Sequence, residues 1–406
     1  MPKTVAIICE YNPFHSGHEY QIKKIKDELG QDTRIIGIMS GNFTQRGECA
    51  IADKYLRAKC AVLSGINLVL ELPFPFSTLC AELFAKSAVY IADSLGIVDF
   101  LSFGSEEGSV SSLIQTADIM LSPAFESAMA GITADKSNKA LGYPEKVELA
   151  LNQVSNGVYA PSLTPNNILA IEYIKALKRF NSKIAPHTIK REGAGYNDSD
   201  ILETAHQSAT AIRSCLIKSD ISALQYIPEV ARSIILDELA AGNFPCDISN
   251  LSRAIISSFR LNSHADPETI PDVGGGLYNR LKDKSLEAGD LDTLVRLTET
   301  KLYTRARIKR AILYSFLGVT SSEVHECPQY TQVLGMDDIG KMLLKKIGKD
   351  CRISILTKPS RTEGLSDEAK RQWEMCFRAD SVFQLTKPKA EDGRLSLITS
   401  PYVKKQ

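Results

Sequence analysis

Short apolar runs alternate with segments of helical spacing over the first 110 residues of the chain. The apolar runs predict strands at Thr4–Cys9, Arg34–Met39, Leu68–Leu72 and Val98–Phe103. The segments between them predict helices at Gly17–Leu29, Asp53–Leu63 and Ser77–Leu95. Strands that are apolar on both faces and separated by helices indicate an α/β fold whose parallel sheet is covered on both sides. Because ligands bind beyond the carboxyl ends of such strands, polar residues that follow them are candidates for a site.

The pattern becomes mainly helical after residue 122. Helical spacing extends to Phe180 with a polar interruption at Ser162–Asn167, followed by a strand at Ile184–Ile189 and a helix at Ala205–Leu216. Residues 221–318 are mostly helical around a Pro/Gly-rich break at Pro267–Gly276. The remainder predicts a helix at Ile339–Ile347, a strand at Arg352–Leu356 and a helix at Ser366–Ala379. We therefore predict three units: residues 1–218 with the sheet, a helical region 219–320, and a small mixed α/β region 321–406.

Two histidines come shortly after the first predicted strand. In the segment EYNPFHSGH, His15 and His18 flank a serine and Gly17 at the start of a helix. The helix N-terminus offers free N–H groups and a positive dipole end, and Gly17 would let a triphosphate approach the backbone. The imidazoles add donors for the charge that develops on an α-phosphate as pyrophosphate leaves. This pattern indicates an HxGH nucleotidyltransferase site on a Rossmann-like sheet; the alternative is two surface histidines that cap a helix.

A second polar pattern opens a later helix. Ser208, Thr210 and Arg213 form a Ser-x-Thr-x-x-Arg sequence, which places hydroxyls and a guanidinium on one side of the first turn. Those groups suit the β- and γ-phosphates of a nucleotide. An N-cap serine followed by an exposed arginine would give the same pattern, so the assignment depends on the histidine pair upstream.

Two further clusters fall at strand ends. Ser102–Glu106 places Gly104 at the end of the fourth strand, where a base or ribose can lie against the backbone, although a plain turn also needs a glycine. Ser40–Gly47 follows the second strand and precedes Asp53 and Lys54. That loop faces the same crevice and is a candidate for binding a small co-substrate, or else a polar loop.

Composition indicates the class of protein and one property of a partner. Hydrophobic residues make up 44% and charged residues 24% of the 406 positions, typical of a globular protein, and the longest apolar runs are too short to cross a bilayer. The nine cysteines are dispersed without a CxxC pair, which favours reduced thiols and a cytoplasmic location over disulfides or a metal site. Net charge is zero, yet residues 301–361 hold twelve Lys or Arg against five Asp or Glu. Such a basic segment indicates a polyanionic partner or a solvated helical face.

Taken together, these segments resemble the bacterial tRNA(Met) cytidine acetate ligases. The matching stretches are EYNPFHSGH at 10–18, SGNFTQRG at 40–47, LPFPF at 72–76, SFGSE at 102–106, PNNILAIEY at 165–173, REGAGYND at 191–198 and Ser208–Arg213. They span about half of the chain, and Lys301–Gly318 matches the family only loosely. The resemblance implies a ligase that forms acetyl-adenylate and pyrophosphate from ATP and acetate. It further implies transfer of the acetyl group to N4 of the wobble cytidine of elongator tRNA(Met), giving N4-acetylcytidine.

The same resemblance, read with the motifs, assigns residues to each substrate. The predicted catalytic residues are His15, His18, Ser208, Thr210 and Arg213. The predicted ATP-binding residues are Ala6, Ile7, Ile8, Cys9, Glu10, Tyr11, Asn12, Pro13, Phe14, His15, Ser16, Gly17, His18, Glu19, Tyr20, Gly104, Asn166 and Arg191, with Asn167 as the alternative to Asn166. Mg²⁺ is expected to be carried with the nucleotide.

Binding of the tRNA is assigned to the basic carboxyl-terminal part of the chain. Tyr303 is the candidate stacking platform, and the candidate phosphate contacts are Arg305, Arg307, Lys309, Arg310, Lys345 and Lys346. The alternative for both runs is a solvated amphipathic helix.

Two other functions fit part of the pattern. A small-molecule adenylyltransferase of the pantetheine-phosphate or nicotinate-nucleotide kind shares both phosphate motifs. Such enzymes are usually a single sheet domain, however, whereas nearly two hundred residues follow Arg213 here. A non-catalytic RNA-binding protein on a nucleotide-binding fold is the second alternative, and the intact pair of His15 and His18 argues against it.

Overall fold

A computed structural model describes residues 2–139, 141–155, 163–191, 208–263, 266–348 and 351–405 of the chain. Within these residues, eight strands form one sheet. The strands are β1 Thr4–Cys9, β2 Arg34–Ser40, β3 Leu68–Leu72, β4 Phe100–Ser105, β5 Ala185–Lys190, β6 Tyr330–Met336, β7 Ser354–Leu356 and β8 Tyr402–Val403. Their order across the sheet is β5-β4-β1-β2-β3-β6-β7, and β8 pairs with β6 beside this path.

The five amino-terminal strands run parallel, with β1 in their middle. Ile7 of β1 lies beside Gly37 of β2 on one side and Ser102 of β4 on the other. Strand β6 joins the far edge antiparallel to β3. Because the carboxyl ends of β1, β2 and β4 are neighbours, the loops that follow these strands meet at one edge of the sheet.

Helices cover both faces of this sheet. Within the described ranges they are α1 Ser16–Leu29, α2 Lys54–Leu63, α3 Ala81–Ser94, α4 Val110–Met120, α5 Pro123–Ala134, α6 Tyr143–Val154, α7 Pro165–Arg179, α8 Ala209–Ile217, α9 Glu229–Ala241, α10 Ser252–Leu261, α11 Leu277–Glu287, α12 Leu291–Thr298, α13 Arg305–Leu317, α14 Ser321–His325, α15 Asp338–Ile347, α16 Asp367–Phe383 and α17 Leu395–Ile398. Helices α8–α14 follow one another between β5 and β6, which confirms the predicted helical stretch.

Alternate residues of each central strand pack into different cores. Val5 and Ile7 of β1 contact the face covered by α1 and α2, where Ile25 and Ala61 are buried. Ala6 lies on the opposite face with the buried residues of α3 and α7. This burial on both faces explains the continuous apolar runs, and the predicted parallel α/β sheet is confirmed.

Several predicted elements are present with different ends. The helix predicted at Ser77–Leu95 consists of a 3₁₀ turn, Phe76–Thr78, and helix α3, because Leu79 and Cys80 between them are extended. The polar interruption predicted from residue 162 overlaps the first turn of α7, which begins at Pro165. The helix predicted from residue 205 is described from Ala209, since residues 205–207 lie outside the described ranges.

Strand β6 was not predicted from the sequence. Thr331 and Gln332 interrupt its apolar run, and both are buried in the structure. The Thr331 hydroxyl donates to the carbonyl oxygen of Glu71 at 2.6 Å, and the Gln332 amide donates to the Tyr55 hydroxyl at 2.7 Å. These partners lie some 260 to 280 positions away in the chain, so local spacing carries no signal for them.

An ion cluster joins α2 and β3 to α16. The ammonium of Lys54 lies 2.8 Å from a Glu71 carboxylate oxygen and 2.6 Å from Asp380 Oδ2, and all three side chains are at most 5% exposed. Asn42 donates to Asp380 Oδ1 and accepts from the backbone N–H of Lys54, both at 2.8 Å. With Cys376 Sγ, the two carboxylates have the spacing of a metal site. The ammonium between them already supplies the cation.

The carboxyl-terminal part shares its sheet with the amino-terminal part. Strands β6, β7 and β8 come from residues 321–406 and continue the sheet beyond β3. The boundaries near residues 218 and 320 mark changes in the pattern of helices and strands along the chain. That they are also domain borders stays a prediction. None of the helices in the described residues is long and apolar enough to cross a membrane.

Candidate active site

The two histidines hold the first turn of α1. His15 is the N-cap residue, and its Nδ1 accepts a hydrogen bond from the Gly17 N–H at 3.1 Å. His18 Nδ1 accepts from the backbone N–H of His15 at 3.2 Å. A Cβ on Gly17 would lie 2.9 Å from His15 Cε1, so glycine lets this imidazole fold over the turn. The result is a reciprocal cap in which imidazoles replace the usual Ser and Glu side chains.

These contacts determine which imidazole nitrogen carries hydrogen. Because Nδ1 accepts in both rings, Nε2 bears the hydrogen in the neutral form of each. Burial, and then the charges of His15 and Arg191, lower the pKa of His18 well below 6.5. The ring centroids of His15 and His18 are 3.8 Å apart. The pair is therefore suited to present two neighbouring N–H donors to one anionic group, with His18 uncharged.

A cavity of about 170 Å³ lies in front of this pair. It gathers the predicted catalytic residues His15, His18, Ser208, Thr210 and Arg213 together with Gly104, Asn166 and Arg191. Of the predicted ATP-binding stretch, the cavity is also lined by Ile8, Cys9, Glu10, Tyr11 and Asn12. The rest of that stretch does not line the cavity: Ala6, Ile7, Pro13, Phe14, Ser16, Gly17, Glu19 and Tyr20. Segments distant in sequence thus form one polar crevice at the carboxyl ends of β1 and β4.

The Ser-x-Thr-x-x-Arg sequence forms the start of α8. Ser208 is its N-cap, and the hydroxyl accepts from the Ala211 N–H at 3.1 Å. The Arg213 guanidinium donates to the carbonyl oxygen of Asn12 at 2.8 Å and to the Thr210 hydroxyl at 3.3 Å. The arginine is thereby held at the loop that precedes the histidines. The serine caps the helix and the arginine lines the crevice, and the phosphate contacts assigned to them stay a prediction.

Gly104 provides room for Arg191. The backbone N–H of Arg191 donates to the carbonyl oxygen of Ser105 at 3.0 Å, and a Cβ on Gly104 would lie 3.2 Å from Arg191 Cγ. Gly104 therefore has a packing role in addition to the base contact predicted for it. The rest of the REGAGYND segment, residues 192–198, lies outside the described residues.

The two adjacent asparagines of α7 have different surroundings. Asn167 is 1% exposed, and its Oδ1 accepts from the backbone N–H groups of Glu106 and Glu107 at 3.0 and 3.2 Å. Asn166 lines the cavity and donates its amide to the Glu106 carboxylate. This difference supports the choice of Asn166 over Asn167 as the nucleotide contact. Glu106 also accepts from the Thr164 hydroxyl at 2.6 Å, so its carboxylate holds the start of α7, a contact that the sequence did not indicate.

The loop after β2 borders the opposite side of the crevice. The Gln45 N–H donates to Glu10 Oε1 at 2.9 Å, and both residues line the cavity. Buried Arg57 ties this loop to β1, because its guanidinium donates to the carbonyl oxygens of Glu10 and Gly41. Burial raises the pKa of Glu10 above its usual value. Glu10 belongs to the predicted ATP-binding stretch, but the hydrogen bond between its carboxylate and the Gln45 N–H was not predicted from the sequence.

Most of the predicted tRNA contacts near residue 305 have partners within the protein. Arg310 is 7% exposed and pairs with Asp272 at 2.6 Å, so its predicted role on a tRNA-binding surface is contradicted by burial. Arg307 donates to the carbonyl oxygens of Asp272 and Gly274 and stacks on the Tyr303 ring, 5.3 Å from its centroid.

The remaining basic candidates are more accessible. Lys309 is half-buried and pairs with Glu48 at 2.5 Å. Arg305 is 55% exposed and lies 3.4 Å from Glu299. Lys345 and Lys346 in the last turn of α15 are exposed. Arg305, Lys345 and Lys346 are thus the predicted contacts best placed to meet a polyanion.

Comparison with known proteins gives the family. The model of the HIGH nucleotidyl transferase family matches residues 2–396. A tRNA(Met) cytidine acetate ligase from Caldanaerobacter subterraneus subsp. tengcongensis is 36% identical over 390 residues, which cover 94% of this chain and 95% of that protein. A ligase of the same name from Thermoanaerobacter sp. is 37% identical over 369 residues, covering 88% and 89% of the two chains.

Solved structures show the same architecture over the full length. Apo TmcAL from Thermotoga maritima superposes with a TM-score of 0.89 at 27% identity, covering 99% of both chains. The same Thermotoga maritima protein bound with alpha-thio ATP superposes with a TM-score of 0.86 at 26% identity. From the sequence match, the shared fold and the crevice at the HxGH turn, we conclude that this chain belongs to the tRNA(Met) cytidine acetate ligase family of HIGH nucleotidyl transferases.

Proposed function

We propose that this protein joins ATP and acetate into acetyl-adenylate in the cavity in front of His15 and His18, with release of pyrophosphate. Acetate is a weak electrophile, because a nucleophile that attacks its carboxylate would have to expel an oxide ion. In acetyl-adenylate the leaving group is AMP, which leaves readily. The chemistry at the α-phosphate needs charge stabilisation and positioning more than proton transfer. The Nε2–H groups of His15 and His18 supply the donors for that charge.

The single observation that carries this proposal is the convergence of five groups on one cavity. The two imidazoles, the Arg191 and Arg213 guanidiniums and the N-terminus of α8 at Ser208 all border it. Two arginines and a helix N-terminus are suited to a polyphosphate. The related Thermotoga maritima protein, solved with alpha-thio ATP, supports ATP as the nucleotide. Mg²⁺ would accompany the triphosphate.

For the second half-reaction, we propose transfer of the acetyl group to N4 of the wobble cytidine of elongator tRNA(Met). The names of the relatives support this acceptor. An anticodon base leaves its stack to reach such a crevice, and basic groups outside the cavity then hold the neighbouring phosphates. Arg305, Lys345 and Lys346 have the exposure that this task requires.

The proposal is tested by two measurements on the purified full-length chain. Acetate-dependent exchange of pyrophosphate into ATP, without tRNA, reports the first half-reaction. Mass analysis of nucleosides after incubation with ATP, acetate and elongator tRNA(Met) reports N4-acetylcytidine. If pyrophosphate exchange requires a mononucleotide instead of acetate, the small-molecule adenylyltransferase is favoured. If ATP binds but no short carboxylate supports exchange, the RNA-binding alternative is favoured.

Exchanging both lysines at the end of α15 for acid should weaken tRNA binding without affecting the first half-reaction. For Lys345→Glu/Lys346→Glu, we expect the plot of log affinity against log salt to become shallower by about one to two units, because each lost phosphate contact removes roughly 0.7–0.9 of slope. The measurement is tRNA binding at several salt concentrations. The matched control is Lys136→Glu/Lys139→Glu, two exposed lysines beside the 3₁₀ turn between α5 and α6. Equal weakening by both pairs would mean that only the overall charge matters.

A further inference from the structure

The crevice has two sides that differ in chemistry. Gly104 and Asn166 border it on the side of β4, where Arg191 also lies. Glu10 and Gln45 border it on the side of β2, because Gln45 belongs to the loop that follows β2 and donates to the Glu10 carboxylate. Strand β1 runs between the two sides. Of the residues assigned to the nucleotide, Gly104, Asn166 and Arg191 thus lie on the β4 side, whereas Glu10 and Arg213, which pairs with Glu48, lie beside the β2 loop.

A carboxylate on this side does not serve a polyphosphate. Two like charges repel each other, and they do so more strongly at the lower effective dielectric of a protein surface than in water. Carboxylates bind hydrogen-bond donors, and Glu10 already accepts one N–H from Gln45. The acceptor amine of the proposed reaction is a neutral group with two N–H donors. Glu10 therefore matches the acceptor better than it matches ATP.

A bound metal ion is the other explanation for a carboxylate beside a triphosphate. The surroundings of Glu10 disfavour it, because the positive charges of Arg213 and Arg57 act on this carboxyl group more strongly than the negative charge of Glu48. The Arg57 guanidinium donates to the carbonyl oxygen of Glu10 itself at 2.5 Å. A divalent cation would meet two fixed positive charges there, whereas a neutral amine would not.

Helix α13, which carries a proposed phosphate contact, packs against this side of the crevice. Helix α13 packs on the β2 loop so closely that a Cβ on Gly47 would lie 2.5 Å from the backbone nitrogen of Arg310. Lys309 of α13 pairs with Glu48 of the same loop at 2.5 Å. Helix α13 starts at Arg305, a proposed phosphate contact. An RNA strand held there would lie next to the loop that borders Glu10.

On these grounds, and resting on the function proposed above, we propose that the Glu10 carboxylate is the base that takes the proton from the acceptor amine during acetyl transfer. Its partial burial strengthens it as a base, since desolvation is the main cause of its raised pKa. The N–H of Gln45 fixes one carboxylate oxygen. The other oxygen is then available to the amine when the base enters.

The proposed step balances without any further reactant. The amine nitrogen of cytidine attacks the acetyl carbonyl of acetyl-adenylate, and a new C–N bond forms. The bond between the carbonyl carbon and the phosphate oxygen breaks, and AMP leaves with the electron pair. The proton lost from nitrogen passes to Glu10 and from there to water. Glu10 thus acts after adenylate formation.

The test is the full-length variant Glu10→Gln, which keeps an oxygen that can accept from Gln45 but removes the charge. We expect acetyl transfer to tRNA to fall by about 10²- to 10⁴-fold, the usual contribution of a general base. The fall in acetate-dependent pyrophosphate exchange should be at least about tenfold smaller than the fall in acetyl transfer. Hydroxylamine, a strong nucleophile that needs little base assistance, should still trap the acetyl-adenylate as acetohydroxamate. The acid limb of the pH profile for transfer should be absent in Glu10→Gln, and Glu10→Asp should restore part of the rate.

Three results would overturn the assignment. Equal loss of exchange and transfer would show a structural role or a role in ATP binding. A loss of pyrophosphate exchange in Glu10→Gln that excess Mg²⁺ restores would show that Glu10 is a metal ligand. Unchanged transfer would show that Glu10 takes no part. Failure of the proposed function itself is distinguishable, because the wild-type protein would then show no acetate-dependent exchange.

Discussion

His18→Asn is expected to lower acetate-dependent pyrophosphate exchange by about 10²- to 10³-fold while the fold stays intact. The loss corresponds to one missing donor to developing charge, about 2.7–4 kcal/mol. Asparagine places an oxygen where Nδ1 of His18 accepts from the His15 N–H, so the cap on α1 is kept while the Nε2–H donor is lost. His18→Gln is the matched control. Its amide nitrogen replaces the Nε2 donor, but its side chain has no acceptor at the position of Nδ1 for the His15 N–H.

Exchange rates and thermal unfolding of both variants separate the two roles. We expect His18→Asn to unfold close to the wild-type temperature but to have the lower exchange rate of the two variants. His18→Gln should unfold at a lower temperature and keep the higher exchange rate. Wild-type exchange in His18→Asn would show that the imidazole does not meet the phosphate.

The same variant has a consequence for stability against pH. The pKa of His18 is lowered in the folded, nucleotide-free protein, so below about pH 6.5 the unfolded chain binds a proton that the folded chain does not. The wild-type protein should therefore lose stability as the pH falls through this range. His18→Asn should lose less over the same range.

Lys54→Met is expected to destabilise the protein by about 3–5 kcal/mol, the cost of leaving buried charge without its partner. The ammonium is the shared partner of Glu71 and Asp380, which are almost fully buried. Without it, two carboxylates face each other in the core. The measurement is the free energy of unfolding in urea, with Lys59→Met on the same helix as the control for loss of one positive charge.

Two further results separate lost charge from lost packing. The triple variant Lys54→Met/Glu71→Gln/Asp380→Asn should recover most of the loss, because it buries no charge. In Lys54→Met alone, protonation of the remaining carboxyl groups removes the unpaired buried charge, so the deficit should shrink as the pH is lowered. A deficit that is independent of pH and persists in the triple variant would indicate packing as its cause.

The amino-terminal sheet could be predicted from the sequence because its strands are buried on both faces. Val5, Ala6 and Ile7 make a continuous apolar run for that reason. The position of the HxGH turn at the crevice was predictable for a related reason: it follows β1, and ligands bind beyond the carboxyl ends of such strands.

What could not be predicted depends on contacts between distant segments. Strand β6 contains Thr331 and Gln332, whose burial is explained only by Glu71 and Tyr55. The burial of Arg310 depends on Asp272, and the position of the Glu10 carboxylate depends on Gln45. In each case a polar side chain is satisfied by a partner that sequence spacing does not identify.

The place of the last strands in the sheet has a consequence for how the protein is made. β3 pairs with β2 but lacks its second neighbour, β6, until residues 330–336 have been synthesised. Lys54 lacks one of its two carboxylates until residue 380 has left the ribosome. A nascent chain that has emerged only as far as β5 therefore exposes a sheet edge and an incompletely neutralised lysine. We expect this edge to stay open to pairing with other chains until residues 330–336 have emerged and added β6.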